Sequence, residues 1–82
     1  HAGADPGLPT QLQSQRTLVW GARAMFTDLR DDGVWVVHGH YVVDEAELTR
    51  GRIPVDTGAY YSGKLTAARL MDGDALFLTA EI

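Results

Sequence analysis

The spacing of apolar residues changes three times along the chain. Over residues 15 to 29, Leu18, Ala22, Met25 or Phe26, and Leu29 recur at helical intervals, so the pattern predicts one helix there. Thr10 with Gln13 has the capping-box spacing just before it. Gly21 sits inside the predicted helix and costs about 1 kcal/mol relative to alanine. Asp31-Asp32-Gly33 ends it. The period then becomes continuous: Val34-Trp35-Val36-Val37 is a short unbroken apolar run after a glycine, the signature of a strand buried on both faces, predicted over 34 to 38. Beyond it the pattern alternates. Ile53 and Val55 share one face of a strand at 52 to 56, and Pro54 marks it as an edge strand or a strand start. Lys64 to Met71 and Ala75 to Ala80 flank Asp72-Gly73, a strong hairpin signal.

The expected class is mixed α/β (α+β), with one helix followed by four strands. Residues 1 to 9 carry two glycines and two prolines and read as loop. Asp44 to Gly51 is charged and reads as a surface loop with room for one helical turn, and Thr57-Gly58-Ala59 breaks the chain. With 82 residues, 45% hydrophobic, the chain makes at most one small domain with a modest core. No cysteine is present, which excludes disulfides and thiolate metal sites. No window approaches the roughly 20 apolar residues of a membrane span. The net charge of −4 and the lack of a basic patch argue against nucleic acid. A cytoplasmic location is expected. The chain opens on His1 without an initiator methionine, so a fragment or processed product is expected.

Chemistry concentrates at Val36-Val37-His38-Gly39-His40. Ligands in open α/β sheets collect at the carboxyl ends of buried strands. Gly39 lets the chain turn, and His40 is presented on the loop as a neutral imidazole suited to a transition metal. His38, two residues earlier, would share a face with His40 if the strand continued, and reads as a hydrogen-bonding residue behind the ligand more than as a ligand. Asp56 reads as a partner for turn amides. Trp20 is expected in the core, and Asp44, Glu45 and Glu47 on a solvated loop.

Three segments in order resemble the second half of the calcineurin-like metallophosphoesterases, closest to the bacterial serine/threonine phosphoprotein phosphatase and diadenosine tetraphosphatase type. His1-Ala2-Gly3 with Asp5-Pro6-Gly7 resembles a "HAG…PG" segment, and Val36 to His40 resembles "VVHGHT". Arg52-Ile53, Val55 to Ala59 and Gly63 to Thr66 resemble a closing "RI.VDTGA…GKLT" run. The resemblance covers nearly the whole chain. It implies the C-terminal part of that family's β-sandwich with flanking helices. It also implies a hydrolase in which two divalent ions (Mn, Fe or Zn) activate a bridging water to attack phosphorus.

By the same resemblance His1 and His40 are ligands of one of the two metals. Arg23, shortly after Trp20, would hold the substrate phosphate with its planar guanidinium, a solvated helix arginine being the plain alternative. Tyr60 or Tyr61 is a candidate for the mouth of the site, Tyr61-Ser62-Gly63 having a loose counterpart in the phosphatases. The "GDxHG", "GDxxDRG" and "GNHE" segments that carry the other ligands do not occur, so the chain is expected to supply only part of the site, with an upstream half as its partner and no turnover of its own. The substrate would be a phosphoprotein, a dinucleoside polyphosphate or a small phosphoester. Tyr41 and Val42 stand where the family has threonine and often proline.

Two other classes compete. Gly33, His38, His40, Glu45 and Gly51 approximate the first motif of the cupins, small β-barrels that bind one metal through histidines and a glutamate on antiparallel strands. The spacing is one residue short, and no histidine follows His40. A non-catalytic interaction fragment is the third class.

Overall fold

The computed structural model describes all 82 residues and is a mixed α/β fold with short helices and four strands in two small sheets. A 3₁₀ turn at Thr10–Leu12 precedes helix α1, Gln15–Trp20. The helix begins at Ser14, whose hydroxyl accepts from the Thr17 amide at 3.1 Å, so Ser14 and not Thr10 is the cap.

The single helix expected over 15 to 29 is corrected. It stops after Trp20 because Gly21 takes φ 87° and ψ 175°, and Ala22 is extended; a 3₁₀ turn, Arg23–Phe26, follows. The break is imposed from a distance. A Cβ on Gly21 would lie 2.8 Å from Cε2 of Tyr41, which packs against this corner. The apolar residues of the segment therefore do not share one face: Met25 is buried, while Leu18 and Leu29 are exposed. Trp20, expected in the core, is 61% exposed.

Strand β1, Val36–His38, pairs in parallel with β2, Arg52–Pro54, in the register Val36↔Arg52 and His38↔Pro54. Parallel strands need a connection of about a dozen residues or more, and residues 39–51 provide it without a helix. A bridge between Thr49 and Arg52 folds its end back. Both strands are shorter than the predicted 34 to 38 and 52 to 56. The expectation of burial on both faces holds for one face only. Val36 and His38 turn toward the N-terminal loop and Met25, whereas Trp35 and Val37 are about half exposed. Trp35 lines an open groove with Leu48, Leu70 and Met71, between this pair and the far end of the hairpin.

The hairpin matches its prediction closely. Strands β3, Lys64–Met71, and β4, Asp74–Glu81, pair antiparallel from Lys64↔Glu81 to Met71↔Asp74. Asp72 and Gly73 both have positive φ, 50° and 81°, the two-residue turn whose twist matches that of paired strands. Helix α2, Ala59–Ser62, was not predicted; it is one turn held between Gly58 and Gly63, both left-handed.

Few side chains are sealed from solvent: 11 of 82 residues are buried, with Ala2, Met25, Ile53 and Pro54 among them. Arg30 replaces much of the missing apolar core. It is 6% exposed, pairs with Asp32 through Nε at 3.0 Å and Nη2 at 2.7 Å, and donates to the carbonyls of Asp5 at 3.2 Å and Leu8 at 3.0 Å. The N-terminal loop is thereby fastened to the turn before β1. No helix is long and apolar enough to cross a membrane.

Candidate metal site at the end of the parallel strands

The carboxyl end of β1 meets the N-terminus of the chain. The Gly39 amide donates to the His1 carbonyl at 2.8 Å, and the Ala2 amide donates to the Leu18 carbonyl at 3.0 Å. His1 is thus strung between β1 and α1. Its Nε2 lies 3.2 Å from Nδ1 of His40, with the rings inclined at 61°. Two imidazoles binding one ion at about 2.0–2.1 Å would hold their nitrogens roughly 2.9 Å apart at a right angle and about 3.3 Å apart in a tetrahedron. The observed spacing falls in that interval. Imidazole nitrogens suit Zn, Mn or Fe as ligands. They are only two: no group of three or more His, Cys, Asp or Glu side chains converges anywhere in the chain.

His40 is held in an uncommon backbone state. Its φ is 69°, and the Tyr41 amide reaches back to the Gly39 carbonyl at 2.8 Å, closing a three-residue turn of the strained hand. Asp56 Oδ2 accepts the His40 amide at 3.0 Å, and Asp56 Oδ1 accepts the Gly58 amide at 3.0 Å. Trp20 meets the His40 ring edge-on at 5.9 Å. Tyr41 has its hydroxyl on the Trp20 carbonyl at 2.5 Å and its ring edge-on to Phe26 at 4.9 Å.

His38 points elsewhere. The left-handed turn breaks the strand alternation, so His38 and His40 do not share a face. Arg52 Nη1 lies 3.2 Å from His38 Nε2; a guanidinium only donates, so Nε2 accepts and the proton sits on Nδ1, which donates to the Gly39 carbonyl at 3.1 Å. Burial is the main reason the His38 pKa is lowered; the Gly39 carbonyl works against it, and the Arg52 charge adds to it. The ring is thus a strut behind the loop, hydrogen-bonded to Gly39 and Arg52 and to neither His1 nor His40.

An open cleft of about 520 Å³ lies before the imidazole pair, between β1–β2 and the start of the hairpin. His1, His40, Asp56, Thr57, Lys64 and Thr66 are among its lining residues. The Thr57 hydroxyl donates to the Lys64 carbonyl at 2.7 Å, fixing the hairpin to the end of β2. Arg23 is exposed, without a hydrogen-bonded or ionic partner, and does not line this cleft. Tyr61 sits on α2 over Gly58, edge-on to Tyr60 at 4.9 Å, and also lies outside the cleft lining. The cupin set does not assemble: β1 pairs in parallel, His38 faces Arg52, and Glu45 lines a different groove.

Asp56 bonds a turn amide, that of Gly58, as expected; its second bond, to the His40 amide, and the packing of Tyr41, read only as a departure, are what the sequence reading missed. The register accounts for that second bond: with His38 opposite Pro54, two further residues along each parallel strand bring Asp56 beside His40. Comparisons with protein-family models, with curated proteins and with solved structures gave no match in any of the three.

Proposed function

We propose that this chain carries part of the dinuclear metal site of a phosphoester hydrolase, with His1 and His40 as ligands of one divalent ion. The observation that carries the reading is the 3.2 Å approach of the two imidazole nitrogens, from residues 39 apart, at the carboxyl end of a parallel strand pair. When bound, divalent ions of this kind lower the pKa of water and neutralise charge on phosphoryl oxygens. Two imidazoles do not complete such a site, and no third His, Cys, Asp or Glu side chain joins them. The large apolar side chains left in solvent, Trp35, Leu65, Leu76 and Leu78 among them, fit a chain that is one portion of a two-sheet domain.

Arg23 follows Trp20 on the segment that borders His40, and its unpaired guanidinium is available to a phosphate. Phosphoprotein, dinucleoside polyphosphate and small phosphomonoester are the substrate classes this reading admits. His38 acts behind the site, through the Gly39 carbonyl.

Calorimetric titration with Zn²⁺ and Mn²⁺, beside an aryl phosphate assay, tests the reading. The 82-residue chain should bind one ion weakly and show no turnover. His1→Ala and His40→Ala should each remove that binding, and His38→Ala should weaken it less. Absence of binding by the unaltered chain, or binding that survives both His1→Ala and His40→Ala, refutes the assignment.

A further inference from the structure

We propose that Asp56 is the positioning residue of the imidazole pair: its carboxylate fixes His40 in the strained turn that aims the ring at His1. The proposal rests on the metal-site reading above and adds to it a residue that touches neither imidazole.

Three observations carry it. First, the parallel register places Asp56 level with His40, two residue pairs beyond the last ladder pair, where no backbone bond reaches the His40 amide. Second, the carboxylate spans two amides: Oδ2 accepts from His40 and Oδ1 from Gly58, at 3.0 Å each. Those two residues share φ 69°, so one side chain anchors a left-handed residue on each of two separate connections. The bond to Gly58 alone makes an ordinary aspartate turn, in which the side chain accepts from the amide two residues on. The bond to His40 is not needed for that turn. Third, His40 is a non-glycine residue at the centre of a turn that is rare and strained, and such conformations persist only where the surroundings over-determine them. The Asp56 carboxylate is the one side-chain acceptor on that residue's amide.

The chemistry selects a carboxylate. Two N–H groups face the side chain, and only an acceptor with two oxygens satisfies both. An asparagine has one oxygen, so one amide loses its partner whichever way the group turns, and its NH₂ then faces an N–H. A positioning role of this kind typically changes metal affinity by about 10- to 100-fold.

The test uses Asp56→Asn and Asp56→Ala in the same 82-residue chain. In the metal-free protein, the nuclear Overhauser contact between the His1 and His40 ring protons should be present in the parent and lost or strongly reduced in both variants. Zinc affinity by calorimetry should fall by about 10-fold or more in each. The hairpin amide resonances of Lys64 to Glu81 report whether each variant is folded, and should stay unchanged. Retention of the ring contact and of parental zinc affinity in both variants overturns the proposal while leaving the metal site standing. Loss of the ring contact in variants of a parent that binds no zinc upholds the positioning role and refutes the metal reading instead. If the hairpin resonances collapse in both variants, Asp56 is a fold residue and the proposal is overturned.

Discussion

The two ends of this molecule are stabilised in opposite ways. The hairpin, Lys64 to Glu81, is regular: eight residue pairs in register about a two-residue turn, specified by neighbours in sequence. Its outer face nevertheless leaves Leu65, Leu76 and Leu78 more than half exposed. The site end has three-residue strands, one-turn helices and loops, yet its side chains are tied to distant backbone. Arg30 spans to Asp5 and Leu8, Gln13 to Asp5, Arg52 to Met25, and Asp56 to His40. Regular secondary structure and tight positioning are therefore separate properties here. The imidazole pair sits where the backbone is irregular and each bond has a specific partner.

If that contrast is right, substitution costs should differ sharply between the two ends. The largest effect is expected at Arg30. Arg30→Met would remove the charged donor that ties the Asp5 and Leu8 carbonyls to the turn before β1, leaving them only their bonds from Gln13 and the Leu8 amide, and should destabilise the protein by about 2 kcal/mol in urea denaturation. A cost under about 1 kcal/mol would show that the polar ties do not hold this end. Acid should probe the same tie more gently. The hydrogen bond from Arg30 is the main reason the Asp32 carboxyl lies below its ordinary value of 3.8. A carboxyl with a lowered folded pKa adds stability that is present above its unfolded pKa and is lost as pH falls through the folded one. Melting temperature should therefore decline below about pH 4, and Asp32→Asn should flatten that part of the profile. An unchanged acid slope in Asp32→Asn would remove this contribution. The smallest effect is expected at the hairpin. Leu76→Thr, on the open face, should change stability by no more than about 0.5 kcal/mol. A loss of about 2 kcal/mol would mean that this face is covered in solution and would erase the contrast.

The same division decides what could be read from the sequence. The hairpin was legible nearly to the residue, because Asp72-Gly73 fixes its turn locally. β1 and β2 were found but drawn too long, because their ends depend on pairing across residues 39–51. The helix was over-extended for a non-local reason: Gly21 looks like a tolerated weak point until Tyr41, 20 positions on, occupies the space a Cβ would need. Arg30 left no trace, since its distant partners are carbonyls, which every residue has. The residues of the candidate site were legible only as types. His40 and His1 were named from their segments, and the structure brings their rings together. What the sequence lacked was the orientation of His38, because the alternation that would aim it beside His40 ends at Gly39.

If His1 and His40 clamp one metal ion, the number of imidazoles on that ion decides it. Zinc K-edge X-ray absorption should give two imidazole nitrogens at about 2.0 Å in the parent chain, one or none in His40→Ala, and two in His38→Ala. A parent spectrum without two imidazoles, or an unchanged spectrum in His40→Ala, would rule out the clamp.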